Sequence, residues 1–152
     1  MALYHLAQMN IARVRAPMED PIMEGFRTQL DPVNAIADKA PGFVWRLQTE
    51  AGNATSIHAW QDPRILVNMS VWTSLEALHA YVYSGAHVPL LRERRQWFEP
   101  FDGPMLVLWW IPAGHIPTVE EGKARLALLA ERGPTPEAFT FRQSYPPPEL
   151  VA

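Results

Sequence analysis

The fifteen prolines of this 152-residue chain constrain its fold more than any other feature of the sequence. Proline has a fixed φ and no backbone N–H, so it is disfavoured inside strands and helices. The segments without proline are therefore the candidates for regular structure. Four of them are short, apolar and rich in β-branched or aromatic residues: 3–12, 43–50, 65–72 and 105–111. This pattern predicts four strands.

A first helix is predicted over 21–39, between the first two strands. Asp20 is its expected N-cap, and Pro21 suits the first turn. The Asp31-Pro32 pair is expected to break or kink this helix in the middle.

Two further helical segments follow the third and fourth strands. Thr73 and Glu76 have the spacing of a capping box, which predicts a helix from 73 to about 83 that restarts at Pro89 and ends near Glu99. The sequence TVEE at 118–121 predicts another helix over about 119–131.

The predicted order of elements is βαββαβ plus a C-terminal helix. This is the ferredoxin-like pattern of an α+β protein, in which both main helices lie on one face of an antiparallel sheet. At this length we expect one domain over 1–145, followed by a flexible tail over 146–152.

The composition excludes several functional classes. The formal charge of −3 and the pI of about 5.9 disfavour a nucleic-acid partner. The absence of cysteine excludes disulfides and thiolate metal sites. No apolar run approaches the length of a membrane span, and the first residues do not resemble a signal peptide. We therefore expect a cytoplasmic protein without a membrane partner.

Side chains alternate between the two faces of a strand, so the sequence assigns each strand residue to a face. One face is almost wholly apolar, and we expect the two main helices to cover it. This apolar face comprises Ala7, Met9, Ile11, Trp45, Leu47, Ile65, Val67, Met69, Val71, Val107, Trp109 and Ile111. The other face, called here the mixed face, carries both apolar and polar side chains. It comprises Tyr4, Leu6, Gln8, Asn10, Val44, Arg46, Gln48, Leu66, Asn68, Ser70, Trp72, Leu106, Leu108 and Trp110.

The mixed face is too apolar to remain exposed in a monomer. Two such sheets packed face to face would cover it, so the sequence predicts a homodimer. Its polar side chains suit a cavity for a small organic ligand better than a dry core. The predicted ligand-binding residues are Gln8, Asn10, Arg46, Asn68, Trp72, Tyr81, Arg94 and Trp110.

The segment VNMSVWTSLEALHAYVYSGAH, residues 67–87, resembles the third strand and following helix of the antibiotic-biosynthesis monooxygenases. The chain as a whole resembles a bacterial family described as a domain of unknown function. The segments that carry this resemblance are YHLAQMNIAR, PGFVWRLQ, ILVNMSVW, VLWWIPAGHIPT and GPTPEAFTF. The resemblance implies a dimeric α+β barrel, and a monooxygenase-like activity if the protein is an enzyme.

Some barrel monooxygenases of that superfamily degrade haem with an Asn on the first strand, a Trp on the second helix and a His at its end. Asn10 or Gln8 and His87 would occupy two of these places, whereas Tyr81 stands where the Trp would be. Haem, with His87 as its axial ligand, is therefore an alternative that the resemblance implies. The departure at Tyr81 weighs against the haem-degrading reaction itself.

The stretch 81–98, YVYSGAHVPLLRERRQWF, contains one histidine, three arginines and four aromatic rings. His87 and Arg94 share a stripe with Leu91 and Phe98 if helical geometry extends back through Pro89. His87 is then a candidate general base or ligand, or else a helix-capping residue. Arg94 either pairs inside the protein or binds a substrate carboxylate.

The other histidines are dispersed and lack the spacing of a metal site, so no metal is predicted. His5 is expected to be structural, and His115 is expected to brace the turn into the third helix. His58 and Trp60 are candidates for a lid.

Three functions agree with these observations. The first is an enzyme without a cofactor that oxygenates, or moves a proton on, an aromatic or polyketide-like substrate. His87 would be its base, and Asn68, Gln8 or Asn10 would hold the substrate oxygens. The second is a haem protein, and the third is a small-molecule binder without catalysis.

Overall fold

The structure, a computed structural model, describes residues 4–48, 62, 64–83, 96–99 and 103–148. Its strands are β1 (Tyr4–Val14), β2 (Phe43–Arg46), β3 (Ile65–Trp72), β4 (Phe98–Glu99) and β5 (Leu106–Pro112). Its helices are α1 (Glu24–Lys39), α2 (Leu75–Val82) and α3 (Val119–Arg132). A 3-10 turn, Pro21–Met23, precedes α1.

The strands form one antiparallel sheet in which β1 is central. β3 pairs with one side of β1, and β2 pairs with the far side of β3. β5 pairs with the other side of β1 from Tyr4 to Asn10, and β4 pairs with the end of β1 at Arg13 and Val14. The order β2-β3-β1-β5 is that of a ferredoxin-like sheet, so the predicted α+β class is confirmed.

The two faces predicted from alternation are confirmed, but the helices that cover them are not those predicted. The apolar face forms one buried cluster with Leu126 and Leu129 of α3. Gly122 of α3 lies against Met9, and Nε1 of Trp109 donates to Glu121 at 2.9 Å. The C-terminal helix therefore covers the face that we assigned to the two main helices.

The two main helices lie on the mixed face instead. Leu78 of α2 packs with Leu6, Trp72 and Leu108, and the C-terminal segment adds Phe139 to the same cluster. Met23 and Phe26, at the start of the α1 region, pack against Val14 and Leu66. Both helices thus share one face, as predicted, but it is the opposite face.

This arrangement weakens the reason for which a homodimer was predicted. Of the apolar side chains of the mixed face, Leu6, Trp72 and Leu108 are at most 1% exposed within the single chain, whereas Leu66, Leu106 and Trp110 are half-buried. A second sheet is not needed to cover the first three. The homodimer remains a prediction that rests on the family resemblance.

α1 runs without a break through Pro32, so the break that was predicted as one alternative is absent. Pro32 cannot donate to the carbonyl of Thr28, four residues earlier. Both residues are exposed, so water can bond to that carbonyl. The loss of one intrahelical bond at the solvent side is therefore tolerated.

Two boundaries near α2 also differ from the prediction. The N-cap is Ser74, whose hydroxyl accepts from the backbone N–H of Ala77, and not Thr73. Phe98 and Glu99, expected at the end of a helix, form the short strand β4. Burial of the neighbouring Trp97 against Met23 and Phe26 draws this part of the chain onto the sheet.

The segment after α3 runs along β5. The backbone groups of Leu108 and Phe139 exchange two hydrogen bonds, of 2.8 and 2.9 Å. Nε1 of Trp110 donates to the carbonyl of Tyr145 at 2.8 Å. These bonds dock the C-terminal segment as far as Tyr145 onto the sheet.

Candidate ligand-binding site

Four polar side chains form a connected cluster in the middle of the mixed face. β1 and β3 pair Gln8 with Ser70 and Asn10 with Asn68, so the four side chains emerge side by side on one face. This set is called here the amide cluster. Its position follows from the strand register alone, because each residue lies directly across from another member.

Hydrogen bonds fix the amide of Gln8 at the centre of this cluster. Its Nε2 donates to Oδ1 of Asn68 at 2.7 Å and to Oγ of Ser70 at 2.8 Å. Its Oε1 accepts from Nδ2 of Asn10 at 3.4 Å. Gln8 is only 4% exposed and Ser70 only 7% exposed, so these bonds satisfy groups that water barely reaches.

The outer members of the amide cluster are exposed. Asn10 and Asn68 both face solvent, and each uses one side-chain atom to bond inward to Gln8. Within the part of the chain that the structure describes, no protein group bonds to Oδ1 of Asn10 or to Nδ2 of Asn68. The cluster therefore presents one acceptor and one donor, held from behind, to any molecule that approaches.

An aromatic group adjoins the cluster through Ser70. The indole Nε1 of Trp72 donates to Oγ of Ser70 at 2.8 Å. Trp72 stacks on Tyr81 with ring centroids 5.1 Å apart, and Phe43 meets it edge-on at 5.5 Å. Trp72 is 1% exposed, so it supports the cluster from inside and offers little surface to a ligand.

Tyr81 is not a base at neutral pH. Its hydroxyl donates to the carbonyl of Val33 in α1 at 3.3 Å. Burial raises the pKa of Tyr81 to about 12; Arg46 opposes and Asp38 adds to this shift. The phenol therefore stays protonated, and its contacts link α2 to α1.

Two other predicted site residues have polar atoms bonded inside the protein. Nε of Arg46 lies 2.7 Å from Oδ1 of Asp38, and the Arg46 side chain is 11% exposed. Trp110 uses its indole N–H for the carbonyl of Tyr145. Both lie on the mixed face, but these bonds tie β2 to α1 and β5 to the C-terminal segment.

His87 and Arg94 lie outside the described residues, as do His58 and Trp60. His115 has the role predicted for it, because its Nε2 lies 2.7 Å from Oε1 of Glu121 at the start of α3.

Among the residues that the structure describes, no three His, Cys, Asp or Glu side chains are grouped to hold a metal ion. Within the same residues, no helix is both long and apolar enough to cross a membrane.

A separate open groove of about 230 Å³ lies beside α2, between Leu75, Glu76, His79, Ala80 and Phe141. None of its lining residues belongs to the amide cluster. His79 lies between the rings of Tyr83 and Phe141, with centroids 4.5 and 5.8 Å away. His79 thus lies at this groove, whereas Tyr81 stacks on Trp72, the aromatic neighbour of the amide cluster.

Two residues of the site were not identified from the sequence. Ser70 was placed among the polar side chains of the mixed face but not among the predicted ligand-binding residues, although its hydroxyl joins Trp72 to Gln8. Phe43 was not assigned to a face, and regular alternation along β2 would put it with Trp45 on the apolar face. A register shift between Phe43 and Trp45 pairs Phe43 with Trp72 instead, and nothing in the sequence marks that irregularity.

A family model described as "Domain of unknown function (DUF3291)" matches residues 5–152 of the chain. No protein with a curated description matches it significantly.

Solved structures with a similar fold come from several bacteria. PA3566 from Pseudomonas aeruginosa is 11% identical with a TM-score of 0.50; the match covers 76% of this chain and 99% of that one. Rv0793 from Mycobacterium tuberculosis is 12% identical with a TM-score of 0.50, over 75% and 99% of the two chains. These likenesses show the fold and nothing finer.

A further similar structure is that of a mutant of SnoaB, a cofactor-independent oxygenase from Streptomyces nogalater. It is 14% identical with a TM-score of 0.48, over 74% of this chain and 95% of that one.

Proposed function

Because the chain belongs to the DUF3291 family, whose description assigns no activity, we propose a function from the site itself. The protein binds a small organic molecule at the outer side of the amide cluster. The observation that supports this most directly is the pair of exposed amides, Asn10 and Asn68, anchored from behind by the buried Gln8. Pre-oriented polar groups beside apolar side chains are typical of small-molecule sites.

The chemistry of the two outward atoms of the amide cluster favours a class of ligand. Nδ2 of Asn68 donates and Oδ1 of Asn10 accepts. Leu106 and Leu108 of β5 pair with Asn10 and Gln8 and place apolar side chains beside them. A flat ligand that carries a carbonyl and a hydroxyl group near each other, as aromatic polyketides do, complements this arrangement.

We propose oxygenation or proton transfer without a cofactor as the reaction, with His87 as the base. This part of the proposal rests on the sequence of 67–87 and on its resemblance to the antibiotic-biosynthesis monooxygenases. In the oxygenation, the base removes a proton from an activated CH2 group, and the carbanion gives an electron to O2. The two radicals combine, and loss of water from the peroxide leaves a ketone, so that one CH2 and one O2 become one C=O and one H2O. Asn68 would stabilise the enolate oxygen by donating to it.

We also propose that the protein is a homodimer, as its resemblance to dimeric barrels implies. Sedimentation at micromolar concentration tests this part separately from the ligand. A monomer would refute the dimer and leave the proposed site unaffected, because the amide cluster consists of residues from one chain.

The ligand proposal is tested with dithranol, an anthrone that has an activated CH2 group and a carbonyl flanked by two hydroxyls. Binding is measured by titration under nitrogen, and O2 uptake is measured above the rate without protein. Asn68→Leu is expected to weaken binding about tenfold or more, since one donor is lost. Gln96→Leu, the same kind of exchange at another exposed position, is the control and should bind like the wild type.

The outcomes separate the three functions. O2 uptake that His87→Ala abolishes while binding persists supports the enzyme. Binding without O2 uptake indicates a binder. A Soret band in protein purified after growth with haem, lost in His87→Ala, indicates the haem alternative. Failure of dithranol to bind at millimolar concentration, or equal binding by Asn68→Leu, would overturn the proposed site.

A further inference from the structure

Gln8 has no side-chain hydrogen left to donate to a ligand, although the sequence suggested that it binds one. Both hydrogens of its Nε2 are used, one for Asn68 and one for Ser70, and its Oε1 accepts from Asn10. It is 4% exposed. Gln8 can therefore affect a ligand only through the side chains to which it is hydrogen-bonded, Asn10, Asn68 and Ser70.

The hydrogen bonds around Ser70 and Gln8 give the orientation of those side chains. An indole N–H can donate but not accept, so Oγ of Ser70 is the acceptor of Trp72. The same oxygen accepts from Nε2 of Gln8. The second hydrogen of Nε2 points to Oδ1 of Asn68, which leaves Nδ2 of Asn68 facing outward.

The other end of the same amide orients Asn10. Oε1 of Gln8 accepts from Nδ2 of Asn10, which leaves Oδ1 of Asn10 facing outward. If the amide of Gln8 were reversed, its oxygen would face Ser70 and Asn68, and both asparagines would have to reverse as well. The two outward atoms would then exchange their chemistry without any change in the positions of the side chains.

We propose that Gln8 and Ser70 are positioning residues that determine which atoms the site offers: a donor from Asn68 and an acceptor from Asn10. Ser70 acts through Gln8, and Gln8 acts through the two asparagines. The inference depends on the proposed function for the identity of the ligand, but the hydrogen-bond arrangement itself is testable without any ligand.

The first experiment measures the arrangement directly in the wild-type protein by NMR. The side-chain NH2 of Gln8 and the indole N–H of Trp72 both point to Oγ of Ser70, so a nuclear Overhauser effect between them is expected. The NH2 protons of Gln8 should also exchange slowly with solvent, since Gln8 is buried. If the effect is absent and the NH2 of Gln8 contacts Asn10 instead, the amide is reversed and the proposal is wrong.

The second experiment measures preference with two simple probes. 1-Tetralone has a carbonyl, which needs the donor of Asn68, and 1-naphthol has a hydroxyl, which can donate to Asn10. In Gln8→Glu, measured at about pH 8 so that the new side chain is ionised, the carboxylate can only accept and turns Nδ2 of Asn68 inward. The affinity for 1-tetralone should fall about tenfold relative to that for 1-naphthol.

Ser70 is tested with a matched pair of substitutions. Ser70→Ala removes the acceptor that orients Gln8, whereas Ser70→Thr keeps it. We expect Ser70→Ala to lose the Overhauser effect and to lower the tetralone-to-naphthol preference, and Ser70→Thr to restore both. A role in folding alone would weaken both probes equally in Ser70→Ala, and that result would refute the positioning role.

The failure of this inference can be distinguished from the failure of the proposed function. If neither probe nor dithranol binds the wild type but the Overhauser effect is present, the proposed function is wrong and the orientation of the amides is supported. If the probes bind and Gln8→Glu leaves their ratio unchanged, the proposed function stands and the positioning role of Gln8 is refuted.

Discussion

The hydroxyl of Ser70 and the indole of Trp72 are hydrogen-bonded at 2.8 Å, although the two residues stand only two positions apart on the same strand. Both side chains point to the mixed face, and both are almost fully buried. The bond satisfies a donor that has no access to water. It also joins the aromatic group beside α2 to the polar centre of the sheet.

Removal of this acceptor should destabilise the fold. In Ser70→Ala the indole N–H of Trp72 stays buried without a partner, which costs about 1–3 kcal/mol of the free energy of unfolding. Urea denaturation followed by tryptophan fluorescence measures this cost. Ser70→Thr, which keeps the hydroxyl, should lose less. Equal midpoints for Ser70→Ala and the wild type would contradict the importance of the bond.

Acid should weaken the attachment of α3 through Glu121. Burial opposes ionisation of this carboxyl, but hydrogen bonds from His115 and Trp109 outweigh it, so its pKa is lowered. A pKa lower in the folded than in the unfolded state gives stability that is present above the unfolded value, about 4.3, and lost as the pH falls through the folded value. Glu121→Gln should therefore show a smaller loss of stability between about pH 6 and pH 3.5. The same slope in both proteins would show that Glu121 does not contribute.

High pH should destabilise the contact between α2 and α1. The pKa of Tyr81 is raised to about 12, so its protonated form contributes stability that is complete below the unfolded value of about 10 and is lost as the pH rises through 12. Absorbance at the tyrosinate band measures the titration. Tyr81→Phe should remove the component with the highest pKa. If the titration of Tyr81→Phe still contains this component, the raised pKa belongs to another tyrosine.

Gly122 should not tolerate a side chain while Met9 faces it. A Cβ at Gly122 would overlap Sδ of Met9 and lie 3.4 Å from its Cβ, and Met9 is fully buried. Overpacking of this kind costs about 1–3 kcal/mol, more than the gain of up to about 1 kcal/mol that alanine brings to a helix. Gly122→Ala should therefore destabilise the wild type.

In a Met9→Val background the same substitution should cost less or become stabilising, because the sulfur that it meets is gone. Thermal denaturation of the two single variants and the double variant gives the coupling. Additive effects would show that α3 does not press on β1 at this point.

The strand alternation in the sequence predicted most of the sheet correctly. Residues such as Met9, Val67 and Trp109 lie on the apolar face, and Gln8 and Asn68 lie on the mixed face, as expected. The assignment of helices to faces failed because α2 and α3 both offer apolar stripes, Leu75 and Leu78 in one and Leu126 and Leu129 in the other. Alternation tells which residues share a face but not which helix covers it.

The polar side chains of the candidate site were found because they are unusual on a face that is otherwise apolar. Their separate roles were not predictable, because burial of Gln8 and exposure of Asn68 depend on the neighbours that the helices bring. The role of Ser70 depends on the side-chain conformation of Trp72, which no spacing in the sequence encodes. For His87 and Arg94, the predictions from sequence stand as predictions.

The paired hydrogen bonds between Leu108 and Phe139 have a consequence for association of the folded chain. β5 borders the sheet, and an uncovered border strand recruits strands of other molecules and leads to aggregates. The residue at the middle of β5 already has its outward N–H and C=O occupied by the chain's own C-terminal segment. Along the opposite border, β2 is only four residues long and carries a register shift, which makes it a poor template. Any growth of the sheet by strand addition at β5 would first have to displace residues 138–139.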